Sequence, residues 1–311
     1  SLFAIAGLSR QSVDSLLTEL QIDKRSAISE TIYRLSNGDP LLVRLYLESL
    51  RTSPQTRENL PQTPPGLEGW FSLWWSQLRA RWVGNPVMEP LAEDIFDLLA
   101  ASLGPIPRKT LLTLLRPQHE QTDLESRVDT LLQDIRPLLL GDGERVAFVL
   151  SHPRLRYFRL EQMAQTKREL LDQRFIAAGN AELAALREAR LLPAQASSYL
   201  LRYLGAHMEA SPGPFDALAA LVCPAWQAAW EALEGTYDGF LDDVDRAWKQ
   251  AETTACTDVS RRTISLVIAA RCALVFSSVS SLVYSLPPNL AGHLVEQGIW
   301  SPAVALSQAR W

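Results

Sequence analysis

Cysteine and histidine are scarce in this chain, and their spacing excludes several kinds of site. The 311 residues contain three cysteines and four histidines. The cysteines are far apart and odd in number, so they form neither the close pairs of a zinc site nor a disulfide framework. The histidines are equally scattered, which argues against a shared metal site. These residues are Cys223, Cys256 and Cys272, and His119, His152, His207 and His293. We therefore expect a cytoplasmic protein that holds no metal.

The common catalytic and phosphate-binding motifs are lacking. The sequence contains no G-x-x-x-x-G-K-[ST] phosphate loop, no G-x-G-x-x-G after a strand, no H-E-x-x-H and no G-x-S-x-G. The acidic group Asp242, Asp243 and Asp245 follows Gly239, where carboxylates commonly complement the start of a helix. The sequence identifies no catalytic residue, and we expect no enzymatic activity from this chain by itself.

A surplus of positive charge is absent. The chain carries 30 Lys and Arg against 35 Asp and Glu, a net charge of -5, and the charges are interspersed. This balance excludes a general attraction to nucleic acid or anionic membranes. With 47% hydrophobic residues, the chain is long enough for two or three domains with buried cores. Because it begins with Ser1 and ends abruptly, we expect a segment of a longer protein.

Long apolar runs are almost absent, and residues 264–286 are the closest approach to one. The segment is long enough to suggest a membrane span. However, Arg271 lies inside it and six serines dilute it. Charged and polar residues are costly within a bilayer. We expect one or two buried helices here and no membrane association.

Strand signals are scarce and helical periodicity dominates, so the predicted fold is mainly α. Residues 1–60 predict a small helical domain. A linker and an aromatic helix follow over residues 61–85. The tryptophans of that helix are spaced for core packing, although stacking on a sugar or a base is the alternative. They are Trp70, Trp74, Trp75 and Trp82.

Residues 86–160 have the element order of a winged helix, three helices closed by a small hairpin. Val146, Phe148 and Leu150 alternate in one predicted strand, and residues 138–140 are the expected partner. A winged helix can bind DNA, but its third helix is too acidic to face phosphates comfortably. The acidic residues of that helix are Asp123, Glu125, Asp129 and Asp134.

From residue 161 to 311 only helices are predicted, separated by short breaks of Pro, Gly and Ser. Stacked helix pairs, as in an α-solenoid, fit this pattern best, although no fixed repeat period is evident. The whole chain is therefore predicted as a small helical domain, a winged-helix domain with a short β-hairpin and an α-solenoid-like helical array.

Two short stretches stand out from this background. Gly38-Asp39-Pro40 is a turn leading directly into an apolar helix, with the proline suited to the first helical position. His152 lies where a short strand meets a helix that begins at Pro153. Taken alone, His152 is a neighbour of a helix start with Arg154 and Arg156 in water. Alternatively, it faces a phosphate-bearing ligand held by another domain.

In their order and separation, these stretches resemble the signal-transducing STAND ATPases, the group that includes NACHT and NB-ARC proteins. In that family a small helical domain with a Gly-x-Pro turn follows the nucleotide-binding core, and a winged helix ends in a Met-His-Asp-type motif. Gly38 and Pro40 match the turn, and His152 matches the histidine. Pro153 stands where an aspartate is usual, which puts the supporting role of that aspartate in doubt.

The resemblance implies a nucleotide-dependent switch without its core. Gly38, Pro40 and His152 would contact ADP or ATP, with Mg²⁺, only when the missing nucleotide-binding domain supplies the site. The other implied partners are a protein ligand on the helical array and further copies of the protein after activation. Two alternatives stay open: a nucleotide-independent helical scaffold that binds proteins, and a winged-helix DNA-binding regulator.

Overall fold

The fold is mainly helical, as predicted. The computed structural model describes residues 7–20, 26–52, 58–119, 122–211, 213–214, 216–284 and 288–302. Within these residues there is one two-stranded antiparallel sheet. Residues 53–57 of the predicted small helical domain, residues 285–287 of the apolar run and both chain ends lie outside the described residues. By contacts, the chain divides into two compact units.

The first unit comprises residues 1–102 and 115–164. Its helices are α1 (Arg10–Glu19), α2 (Ser26–Ser36), α3 (Pro40–Thr52), α4 (Gly66–Arg81), α5 (Met88–Ala101), α7 (Leu124–Asp134) and α8 (Pro153–Gln162). Ser9 caps α1 by accepting a hydrogen bond from the Ser12 amide. α2 packs against α1, α3 and α4, so the first three helices form one apolar group.

The aromatic helix α4 lies in the core of this unit, and the prediction of core packing is confirmed. All four tryptophans are buried. Trp74 and Trp75 both contact the ring of Phe96 on α5, at centroid distances of 5.8 and 5.7 Å. The Trp70 indole donates to the Ser49 hydroxyl at 3.1 Å. A buried tryptophan needs such a partner for its N–H group.

The order predicted for the winged helix is present along the chain. Helices α5, α6 (Arg108–Leu115) and α7 precede strands β1 (Leu139–Leu140) and β2 (Val149–Leu150). The strands pair antiparallel with Leu139 opposite Leu150, so the predicted partner strand is correct. By its contacts, however, the segment 103–114, with most of α6, belongs to the second unit.

Helix α8 is attached firmly to α5. Arg159 forms an ion pair with the buried Asp97 at 2.5 Å. Arg156 donates to the carbonyl of Ala100 at 2.9 Å. The interpretation that Arg156 lies in water is therefore wrong, because its guanidinium reaches a part-buried carbonyl. Both arginines lie within α8 and fix its orientation on α5.

The second unit comprises residues 103–114 and 165–311. Its remaining helices are α9 (Gln165–Arg187), α10 (Ser198–Ala210), α11 (Pro224–Glu234), α12 (Asp238–Thr257), α13 (Arg262–Tyr284) and α14 (Pro288–Glu296). Helices α9 to α13 share one apolar core, centred on Leu204, Trp226, Phe240 and Val244. Consecutive helices pack on one another, α9 on α10 and α12 on α13.

Helix α13 is less buried than expected. It packs on α12, and its buried residues include Ala269, Cys272 and Val279. Only 22% of the apolar stretch 262–281 is buried, and Val267 and Leu274 are well exposed. By length and composition this helix could also cross a membrane. The prediction of a buried helix, made from hydropathy, is wrong. Composition does not show how much of a helix surface is covered by neighbouring elements.

Candidate functional site

The turn between α2 and α3 requires glycine at position 38. Asn37 and Gly38 both have positive φ, 47° and 73°, so the chain reverses sharply at the end of α2. The Leu8 amide donates to the Gly38 carbonyl at 2.7 Å. A Cβ atom on Gly38 would lie 2.5 Å from the Leu8 carbonyl oxygen. The predicted backbone freedom of Gly38 is confirmed, and close approach by a second segment adds to it.

Asp39 and Pro40 together begin α3. One carboxylate oxygen of Asp39 accepts from the Leu41 amide at 2.9 Å and the Leu42 amide at 3.3 Å. Pro40 occupies the first helical position, where its missing N–H group leaves no donor unpaired. The amide groups at this end of the helix carry a partial positive charge. The turn therefore combines a capped helix start with a rigid first residue.

His152 performs the same task for α8. Its Nδ1 atom accepts from the Arg154 amide at 3.1 Å, and Pro153 follows as the first helical residue. Because Nδ1 must be unprotonated to accept this bond, Nε2 is left as the donor nitrogen of the neutral ring. The side chain is half-buried. His152 is thus a helix cap whose Nε2–H group could donate a hydrogen bond to a ligand oxygen.

Two polar contacts bring these helix starts together. Asp39 caps α3 through one oxygen and forms an ion pair with Arg154 through the other. Arg44, one turn into α3, donates to the hydroxyl of Ser151 at 3.2 Å. Gly38, Pro40 and His152 were predicted as site residues from separate stretches. Each lies within two residues of the Asp39–Arg154 ion pair.

The partners that make this contact were missed by reasoning from the sequence. Asp39 was noted only as the middle residue of the turn, and Arg154 was interpreted as solvated. Arg44 and Ser151 were not singled out. The sequence signal for this contact is the positive charge of Arg154 in the first turn of α8. A cation there is disfavoured by the helix dipole, so a nearby anion stabilises it.

The electrostatics of the contact favour an anion. Two helix N-termini meet there, and Arg44 and Arg154 supply two positive charges against the one carboxylate of Asp39. Arg154 is 48% exposed and Asp39 is 25% exposed, so water screens the pair. Helix starts and arginines are common ligands of phosphate groups.

A cavity of about 290 Å³ lies beside Pro40, between α1 and α3. Its apolar lining includes Leu8, Leu16, Val43 and Leu47. Arg44, Glu48 and Arg51 also line it, and Arg44 connects the cavity to the polar contact. The size is at the lower end of small-molecule pockets, which combine an apolar wall with a few charged groups.

The second unit contains a separate polar network around His207. The imidazole lies 2.9 Å from the Tyr199 hydroxyl and 2.8 Å from a carboxylate oxygen of Asp172. The Tyr199 hydroxyl also accepts from the Leu103 amide at 3.2 Å. The ring of Phe175 stacks on the imidazole at 4.3 Å. Because Tyr199 and His207 are each only 1% exposed, this network packs the core instead of meeting a substrate.

The described residues hold no group of three or more His, Cys, Asp and Glu suited to a metal ion. His119 pairs with Asp94, and His207 with Asp172, so the histidines serve separate structures. No protein-family model, curated protein or solved structure matches this chain. The arrangement at the two helix starts gathers two arginines and two helix N-termini, groups that commonly bind anions.

Proposed function

We propose that this chain is the regulatory and sensor portion of a bacterial-type STAND ATPase. It would close over ADP or ATP held by a nucleotide-binding core that is not part of this chain. Binding of a protein ligand to the helical array would then favour opening and oligomerisation. By itself the chain would not hydrolyse ATP, and the full protein would be a slow ATPase switch.

One observation carries this proposal. The Gly38-Asp39-Pro40 turn and the helix start at His152 meet through the Asp39–Arg154 ion pair. The resemblance assigns a nucleotide contact to both stretches, and two contacts with one ligand must lie close together. The two stretches are more than one hundred residues apart in the sequence. Local propensity therefore does not predict that they come into contact.

The chemistry of the surroundings agrees with a nucleotide. The apolar cavity beside Pro40 suits the face of a base, and Arg44 and Arg154 suit phosphate oxygens. His152 would donate from Nε2 to a phosphate oxygen while Nδ1 keeps its bond to the Arg154 amide. The Mg²⁺ ion and the phosphate loop would come from the core.

The mechanism is a shift between two states. ADP contacts from Pro40 and His152 would favour a closed state, and exchange for ATP would release it. A nucleotide can shift this equilibrium only through a difference in affinity between the states. The Nε2 donor of His152 is the clearest source of such a difference in this chain.

The test compares two histidine variants of the full-length protein. His152→Ala should lower the amount of ADP retained on purification and raise the fraction of oligomer. His119→Ala is the matched control, because His119 lies in the same unit and pairs with Asp94 away from the turn. Equal ADP retention and equal oligomer fractions in both variants would reject the proposal.

A nucleotide-independent scaffold is the second candidate, and the exposed apolar residues of α13 favour it. The coding sequence upstream of this chain discriminates between the two. A strand–GxxxxGK[ST]–helix unit roughly 150 to 250 residues before Gly38 would favour the STAND switch. Its absence would favour the scaffold. Retention on DNA at low ionic strength would instead favour the winged-helix regulator.

A further inference from the structure

We infer that the Asp39–Arg154 ion pair and the Arg44–Ser151 hydrogen bond form a salt-sensitive closing contact between α3 and the start of α8. The contact would hold the start of α3 against the start of α8 and would open as ionic strength rises. It deepens the proposed function, on which its regulatory meaning rests, since it would favour the closed state even without nucleotide.

The position of this contact suits such a role. Helix α8 is fixed to α5 by the Arg159–Asp97 ion pair and the Arg156–Ala100 hydrogen bond. On the other side, α3 packs on α2 and α4 through apolar residues. Helix α4 in turn packs on α5 through Trp75 against Phe96 and on α8 through Phe71 against Phe158, so an apolar core already joins the two groups. The closing contact adds a polar link between the starts of α3 and α8, through side chains that water can reach. Breaking it leaves this apolar core intact.

The placement of charge points the same way. Arg154 lies in the first turn of α8, where a cation opposes the helix dipole, so the residue does not stabilise its own helix. Asp39 lies at the start of α3, where a carboxylate is favourable, and it caps that helix as well. The charge of Arg154 is therefore stabilised mainly by Asp39. The ion pair is the interaction that salt and competing anions would weaken.

The pair is weak enough to be reversible. Arg154 is 48% exposed and Asp39 is 25% exposed. Exposed pairs of this kind change an equilibrium by about fivefold or less. Screening shortens the range of such interactions from about 10 Å at 0.1 M salt to about 3 Å at 1 M. A contact with these properties opens readily when salt or a competing anion takes the place of Asp39.

Amide hydrogen exchange of the nucleotide-free chain tests the inference. Asp39→Asn removes the charge but keeps an oxygen that can cap α3, and Arg154→Gln removes the cation. Either variant should speed exchange in residues 151–158 and 41–47 by up to about fivefold at low salt. The double variant should exchange no faster than the single ones. In about 1 M NaCl the difference from the wild type should disappear.

Glu30→Gln is the matched control, because it removes the more exposed Arg10–Glu30 pair from the same unit. It should leave residues 151–158 unchanged. Arg44→Gln should act in the same direction as Asp39→Asn. Additive effects, effects confined to the segment that carries the substitution, or effects that persist in 1 M salt would overturn the inference. Failure of the ADP-retention test with intact salt-dependent exchange would reject the nucleotide role alone.

Discussion

Asp39 and Arg154 form an ion pair across 115 residues of sequence, between the N-termini of two helices. Asp39 caps α3 with its other oxygen, and His152 caps α8 by accepting from the Arg154 amide. Both partners are therefore part of a helix start. This relationship links backbone capping, surface charge and the proposed nucleotide contacts in one place.

Gly38→Ala should destabilise the first unit by about 1–3 kcal/mol, because a side chain is strained at positive φ and the new Cβ atom meets the Leu8 carbonyl oxygen. Gly84→Ala is the control. Gly84 also has positive φ, at 89°, but no atom lies within 4 Å of its Cβ position. Denaturant unfolding measures both. Equal losses of unfolding free energy in the two variants would mean that the positive φ alone, and not the nearby Leu8 carbonyl, makes glycine necessary at position 38.

Asp243 should make the second unit less stable as pH rises from about 4 to about 6. Burial raises the pKa of this carboxyl from 3.8 to about 6, and the indoles of Trp226 and Trp230, followed by Arg246, only partly oppose that shift. Because the folded pKa exceeds the unfolded one, the stability contributed by the neutral acid is complete below pH 4 and is lost through pH 6. Unfolding followed by tryptophan fluorescence at several pH values measures it.

Asp243→Asn should flatten this pH dependence, because the amide oxygen still accepts from Trp226 while the titrating group is gone. Asp245, whose side chain is 42% exposed and pairs with Lys249, provides the control variant Asp245→Asn. A pH profile that persists in the Asp243 variant would assign the effect to another carboxyl.

Tyr199→Phe should cost the second unit about 1–3 kcal/mol of unfolding free energy. The hydroxyl serves both His207 Nε2 and the Leu103 amide, and its removal leaves two groups without that partner in or near the core. Tyr157→Phe, at an exposed hydroxyl in the first unit, should change stability by less than about 0.5 kcal/mol. Thermal or denaturant unfolding gives both values. A loss below about 0.5 kcal/mol for Tyr199→Phe would show that the network is not structural.

Much of the fold could be predicted because its signals are local. Helical periodicity with Pro, Gly and Ser breaks located the helices, and alternation at Val146, Phe148 and Leu150 indicated the hairpin. The partner strand followed from chain proximity, and Leu139 pairs with Leu150. Helix α13 was harder. Its composition predicted burial, but only the face containing Ala269, Cys272 and Val279 is buried.

The sequence predicted individual residues of the candidate site but not the contact between them. Gly38, Pro40 and His152 each lie at a helix boundary, and such boundaries follow from the preferences of glycine, proline and capping side chains. Their meeting involves Arg44, Ser151 and Arg154, whose roles depend on which surfaces pack together. No short pattern encodes a contact between residues 39 and 154.

The sequence by itself determined the mainly helical fold, the glycine turn at 38, the helix starts at Pro40 and Pro153, and the burial of the tryptophans of α4. Each depends on backbone propensity or on the burial of apolar residues at helical spacing, which operate over a few neighbouring residues. Only the tertiary structure decided that Asp39 meets Arg154 and that α13 exposes Val267 and Leu274. Those outcomes depend on the packing of whole helices, which brings together residues distant in sequence and leaves one face without a partner among the described residues.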